Sequence, residues 1–232
     1  MSLGTGDRTA ILGRVKEALR IEAPLKHPAE RSAGGEPTTA HFREWLPPVG
    51  GSLDERFELF ARLSETLKSE LHPCADMAEA AVILAGLAKE GNWKTVALHR
   101  GDLIDALAEV LPPELETMRL KPGYDKDQLE ACDAGITECD LLVAQTGSVC
   151  VTSKSAGGRV LSVLPPHHIV IARRSQLVTD LTEAYASLAA KYRDGYPSMI
   201  SFITGPSRTG DIERILVLGA HGPKRLTILL LP

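Results

Sequence analysis

Aromatic residues make up only 4% of this chain, and no stretch reaches the roughly 18 consecutive apolar residues that a transmembrane helix needs. The first shortage leaves few platforms for stacking nucleic-acid bases, and the second excludes a helical membrane span from the expectations. A cationic excess is also missing. Lys and Arg number 26 against 30 Asp and Glu, a formal net charge of -4, so the sequence lacks the basic stripe of a nucleic-acid binder.

Signature motifs are equally scarce. There is no G-x-G-x-x-G, no G-x-S-x-G and no H-E-x-x-H, which removes the usual marks of dinucleotide binding, the hydrolase elbow and the zinc-protease helix. Cys74, Cys132, Cys139 and Cys150 form no C-x-x-C pair, so no metal centre or cluster is expected in this chain. The first residues, "MSLGTGDRTAILGRVKEAL", lack the apolar core and cleavage site of a signal peptide. The expectation is a cytoplasmic protein with reduced, buried thiols and no bound cofactor.

What is present is a chain of 232 residues, 44% hydrophobic, long enough for one α/β domain and a small appendage. Ile11, Val15 and Leu19 fall at helical spacing, and a Pro-, Gly- and Ser-rich stretch follows to Ser52. Residues 1–52 therefore read as a helix plus linker arm, and 53–232 as the main domain. Phe57, Phe60, Leu63, Leu67 and Leu71 predict a helix over 53–71, and "ADMAEAAVILAGLAKEG" predicts a second.

From there a β/α rhythm sets in. "KTVALH" reads as a strand, "DLIDALAEVL" as a helix, "TMRL" as a strand and "DKDQLEACDAG" as a helix. "DLLVAQTGSVCVTS" reads as two strands joined at Thr146-Gly147-Ser148, and "HHIVIA" as a strand before a helix over 177–192. "MISFI" and "RLTILLL" are strands, with a helix "DIERILVL" between them. Alternating strands and helices predict a three-layer α/β/α fold on a mainly parallel sheet.

Three turns hold the candidate chemistry. "ITGPSRTGD" places Gly205, Ser207, Arg208, Thr209 and Asp211 where a strand gives way to the expected helix. Unpaired main-chain amides, hydroxyls and one guanidinium suit a carboxylate or phosphate there, and ordinary helix capping suits the same residues. "GAHGP" presents His221, a proton-transfer candidate near neutral pH or a structural hydrogen-bonder. "QTGSV" presents Thr146, Gly147 and Ser148 as a second hydroxyl-bearing turn, or as a plain hairpin. "KSAGGR", Lys154 to Arg159, lacks the order of a phosphate loop but can carry a cation toward an anion. His167 and His168 are neighbours on a strand, so they face opposite ways and cannot chelate one metal together.

The ordered set "QTGSVCV", "RVLSVLPPHHIVI", "FITGPSRTGDIE" and "LGAHGP" resembles the LUD-domain family, with its lactate utilization C and YkgG-like groups, from about Gly135 to Leu231. The resemblance implies the fold shared by sugar-phosphate isomerases and CoA transferases, and a part in oxidising L-lactate to pyruvate beside iron–sulfur partner proteins. It leaves open whether this chain regulates, assembles or binds substrate. Where the family usually has an acid before the Thr-Gly pair, this chain has Gln145, and Gly210 stands where Ala is common. His221 and Asp211 are the catalytic candidates on this reading, and the turn residues bind a small anion. The alternatives are an independent enzyme acting on a sugar phosphate or an acyl-CoA, with Glu138 the glutamate nearest "QTGS", and an interaction module docking through its arm.

Overall fold

The computed structural model describes Ala10, Gly13, Arg14, Lys16, Glu17 and residues 46–232, apart from Pro122, 211–215 and 219–221; of 208–210 and 216–218 it describes the main chain. The chain divides into two compact units, residues 1–44 and 45–232. In the first, the five described residues are helical and exposed.

The second unit opens with helix α1, Leu53–Leu67, started by a capping box in which Ser52 Oγ accepts from the Glu55 amide while Glu55 Oε2 accepts from the Ser52 amide. Lys68 adopts a left-handed conformation, φ 65°, and stops it. The helix expected to run to Leu71 therefore ends a turn earlier, and Leu71 belongs to strand β1, Glu70–Pro73. Helix α2, Met77–Gly91, starts on the Asp76 cap and ends at a left-handed Asn92.

Strands β2 (Thr95–Leu98), β3 (Glu116–Arg119), β4 (Ala134–Glu138), β7 (His167–Arg173) and β12 (Arg225–Leu231) join β1 in a six-stranded sheet ordered β1-β12-β7-β4-β2-β3. Every pairing in it is parallel. Helix α3, Asp102–Ala108, connects β2 to β3, and α4, Lys126–Glu130, connects β3 to β4. Parallel strands must be buried on both faces, and here they are. Ile136, Ile169, Ile171, Leu229 and Leu231 meet α2 and α3 on one side. Val170, Ala172, Leu226, Ile228 and Leu230 meet Phe60 of α1 on the other, while Leu129 of α4 packs there against Ala97.

On the α1 side lies a second sheet, ordered β8-β5-β6-β9, from Leu177–Val178, Leu141–Val143, Ser148–Thr152 and Ile200–Ile203. Its inner residues Leu142, Val149 and Val151 join the core of the main sheet, and its outer residues pack on helix α5, Leu181–Lys191. Strands β5 and β6 form the expected pair around Thr146-Gly147-Ser148.

Three more expectations are corrected. The helix read from "DKDQLEACDAG" shrinks to α4, and its tail, Ala134 onward, is β4 near the centre of the main sheet. Gly135 explains the misreading: it looks like a helix stop, but a Cβ there would lie 2.3 Å from the Leu161 carbonyl oxygen, so the strand needs glycine for the Val160–Ser162 turn to close on it. The helix over 177–192 begins at Leu181, after β8. The helix "DIERILVL" is not formed as read, because Leu216–Leu218 is strand β11, antiparallel to β10, Arg208–Gly210. A short apolar run such as Leu-Val-Leu suits either period, and pairing decided it.

His167 and His168 do face opposite sides. His167 packs edge-on against Trp93 at 5.1 Å and bonds Thr227 Oγ1 at 2.7 Å through Nε2. His168 bonds Thr137 Oγ1 at 2.9 Å on the other face. Burial pushes His167 down to about 4, with the Arg225 charge adding to it, and His168 to about 3.

Two measurements follow from this packing. Gly135→Ala is expected to lower stability by about 2 kcal/mol through overpacking against the Leu161 carbonyl, seen as an earlier urea midpoint; an unchanged midpoint would contradict the contact. Both histidines are neutral when folded but take protons when unfolded below about pH 6.5. Stability is therefore fully present above that pH and falls on acidification toward pH 4, each histidine adding a slope of about 1.4 kcal/mol per pH unit. His167→Gln should remove one proton's worth of that slope in unfolding curves taken between about pH 4.5 and 6, which lies between the folded value near 4 and the unfolded value near 6.5.

Candidate functional site

The turns singled out by sequence come together, although they lie far apart in the chain. Thr146 Oγ1 and Ser148 Oγ are 2.8 Å apart, and Ser148 Oγ is 2.7 Å from Thr204 Oγ1, so three hydroxyls form one chain across β5, β6 and β9. The antiparallel register that pairs Val149 with Ile203 sets Ser148 beside Thr204. Ser207 donates its amide to the Pro223 carbonyl at 2.9 Å, and a Cβ on Gly222 would lie 3.2 Å from Ser207 Cβ, which ties in the start of β12.

The two turn glycines are needed, and what approaches them is protein. Gly147 has φ +64° and Gly205 φ +94°. A Cβ on Gly147 would meet Leu67 Cδ1 at 2.8 Å and Leu63 Cβ at 3.0 Å, and one on Gly205 would meet the Leu67 carbonyl oxygen at 2.8 Å. The last turn of α1 thus fills the space that the glycines open. Because α1 leads into the start of β1, and Pro223 into the start of β12, this cluster sits at the amino edge of the main sheet. It lies at the carboxyl end of β9, but β9 belongs to the second sheet.

Of the remaining residues in this reading, Arg208 and Thr209 lie in β10, described by main chain, and Asp211 and His221 lie outside the described residues. Gln145 Nε2 donates to the Pro47 carbonyl at 3.1 Å while its amide donates to the Thr179 carbonyl at 3.0 Å. A carboxylate cannot make the first of these bonds, so the amide side chain matches its surroundings. Lys154 turns away from the turns, donating to the Gly195 carbonyl at 2.9 Å and lying over the Tyr192 ring.

A second constellation was not marked by sequence motifs. In an open α/β sheet, ligands settle at the carboxyl edge where the strand order reverses. Here the chain steps from β2 outward to β3, then back past β2 to β4 and on to β7, so the reversal lies between β2 and β4. His99 follows β2 and Glu138 ends β4 at that point. Glu138 donates its amide to His99 Nε2 at 3.2 Å, which leaves the ring hydrogen on Nδ1, a buried atom with no hydrogen bond of ordinary geometry. Burial holds the His99 imidazole below its ordinary range, although the Arg100 main chain and the Glu138 and Asp105 carboxylates pull the other way.

Glu138 Oε1 accepts from the Leu103 and Ile104 amides at 2.8 and 3.3 Å, so the chain supplies its own carboxylate to the start of α3. Gly101 makes room for it: a Cβ there would lie 2.4 Å from Oε1. Arg119 donates to the His99 carbonyl at 2.9 Å and pairs with Asp105, bracing the same edge. The signal available in the sequence was position: "HR" follows the strand "KTVAL", and a lysine follows "TMRL".

A third polar cluster is structural. Asp140 is buried, accepting from Lys191 Nζ at 2.6 Å and from Tyr192. Burial raises its pKa, but these bonds outweigh it and hold the carboxyl below its ordinary value. All four cysteines are buried and unpaired, and among the described residues no three His, Cys, Asp or Glu gather to hold a metal ion. No helix among the described residues is long and apolar enough to cross a membrane.

Comparison with known proteins identifies the family. The chain is 32% identical over 152 residues to the lactate utilization protein C of Deinococcus radiodurans, a match covering 65% of this chain and 69% of that protein. To the lactate utilization protein C of an Exiguobacterium species it is 30% identical over 190 residues, covering 78% of this chain and 80% of the relative. A denser match, 41% over 103 residues, to the protein of the same name from a Geobacillus species spans 44% of this chain and 43% of that one. Among solved structures, a DUF162 family protein from Deinococcus radiodurans shares the fold, with a TM-score of 0.59 at 24% identity over 78% of this chain and 99% of its own. The model of the LUD domain matches residues 57–231, and the chain belongs to the LUD domain family.

Proposed function

We propose that this chain works in lactate utilization, the process for which its relatives are named, by binding a small carboxylate or phosphate where the strand-end turns meet. The observation that carries the reading is the hydroxyl chain of Thr146, Ser148 and Thr204, drawn from positions up to 58 residues apart and joined to Ser207 through the turns. Hydroxyls that can turn either as donors or as acceptors suit a carboxylate's lone pairs, and Arg208, in the strand leaving the cluster, adds a bidentate partner. His221 and Asp211 are assigned the proton-handling roles. On this reading iron–sulfur partner proteins in the cytoplasm would supply the redox cofactor and take the electrons of L-lactate, while this chain's residues bind and orient the anion.

The test is affinity purification of the tagged chain from lactate-grown cells lysed without oxygen. Co-purifying proteins and absorption near about 400 nm are expected, since clusters held by partner cysteines absorb there. A colourless, solitary protein would overturn the assembly and favour a free-standing enzyme acting on a sugar phosphate or acyl-CoA. Arg208→Ala should weaken lactate or pyruvate binding by about tenfold in calorimetry; equal binding would remove the turns from the site.

A further inference from the structure

The carboxyl edge of the main sheet has open space one strand away from its filled crevice. Between β4 and β2 the Glu138 carboxylate already holds the α3 amides, so an incoming anion finds them taken. Beyond β2, two adjoining hollows of about 610 and 500 Å³ open over the carboxyl ends of β2 and β3. Both are walled by Arg100, Leu120, Lys121 and Tyr124.

The sheet itself places the cations. Leu98 pairs with Arg119 in parallel register, so Arg100 and Lys121, each two residues further on, leave neighbouring strand ends together. Arg119 beside them is committed to Asp105 and to the His99 carbonyl. The Arg100 and Lys121 side chains are exposed and make no ion pair or hydrogen bond among the described residues, while the Lys121 carbonyl accepts from the Tyr124 amide. Two cations leaving neighbouring strand ends over the same hollow can both reach an anion seated in it.

The rest of the wall is suited to an organic body. Tyr124 is 42% exposed and offers a ring face, and Met118 and Leu120 give an apolar floor. On the far side Gly157 presses so closely on His99 that a Cβ would lie 2.4 Å from His99 Cβ, while Gly158 has nothing within 4 Å of the same position. The "KSAGGR" loop therefore closes that side with bare main chain, by its glycines and not by Lys154. A three-carbon acid leaves most of such a volume empty, whereas a nucleotide-sized molecule fills it.

We propose that this cleft binds an organic phosphate of nucleotide size, its phosphate between Arg100 and Lys121 and its ring against Tyr124. The site goes beyond the turn cluster, because it uses none of those residues and lies at the opposite edge of the main sheet.

Calorimetry on the full chain tests it with AMP, ribose 5-phosphate and inorganic phosphate as probes. AMP is expected to bind at least about tenfold more tightly than either smaller probe. Arg100→Ala/Lys121→Ala should weaken AMP by about tenfold or more, and Tyr124→Ala should weaken AMP while leaving inorganic phosphate unchanged. Ser148→Ala, in the turn cluster, should leave AMP binding intact, which separates this site from the one proposed above. Should the double variant melt early, Lys121→Gln at its exposed position provides the same comparison. Absence of AMP binding up to about 10 mM, equal binding by the cation variants, or equal affinity for all three probes would overturn the proposal.

Discussion

Burial of β12 on both faces is the constraint on which the remainder of the fold depends. From Leu226 to Leu231 every side chain is inside, with Leu229 and Leu231 serving the α2–α3 core and Leu226, Ile228 and Leu230 serving the α1 core. The strand lies between β1 and β7, so the first strand of the domain joins the sheet only through the last. Its register is fixed by polar contacts at its start. Arg225 reaches Glu70 through Nε and Nη2 at 2.9 and 3.0 Å, and Thr227 donates to the same carboxylate at 3.0 Å. A slip by one residue would move every apolar side chain to the wrong core and break these three bonds together.

How much of this was legible follows from the kind of signal each element carries. Helix α2 could be read because Asp76 caps it, its apolar residues recur at helical spacing and Asn92 closes it. The long strands β7 and β12 could be read because a continuous apolar run at that length means two-sided burial. Strand β4 was hidden, since Ala134 and Gly135 carry no strand propensity and are set there by the Leu161 carbonyl pressing on the glycine. The second sheet was only half visible: β8 has two residues, and its parallel pairing with β5 depends on a long crossover by way of β6 and β7 that local pattern does not encode.

The same division applies to the sites. The turn cluster was legible as residue types, because Gly, Ser and Thr at strand ends advertise tight turns, and tertiary register then supplied the meeting of Ser148 with Thr204. Its place in the fold was not legible, since whether a strand end belongs to the main sheet or to a second one is a matter of topology. His99 and Glu138 stand 39 residues apart with no motif between them, and Arg100 and Lys121 are single cations in a chain with many. Only the parallel pairing of β2 with β3 and β4 makes them neighbours.

The state of the thiols has a consequence for the company such a protein can keep. Nucleophilic attack, disulfide exchange and capture of iron all proceed through the thiolate. Burial raises every one of the four cysteines, Cys150 to about 12 and Cys139 well above its ordinary value with Asp140 adding to the effect. The four cysteines are thereby held as buried, protonated thiols, the form least disposed to attack peroxide or to capture a metal ion.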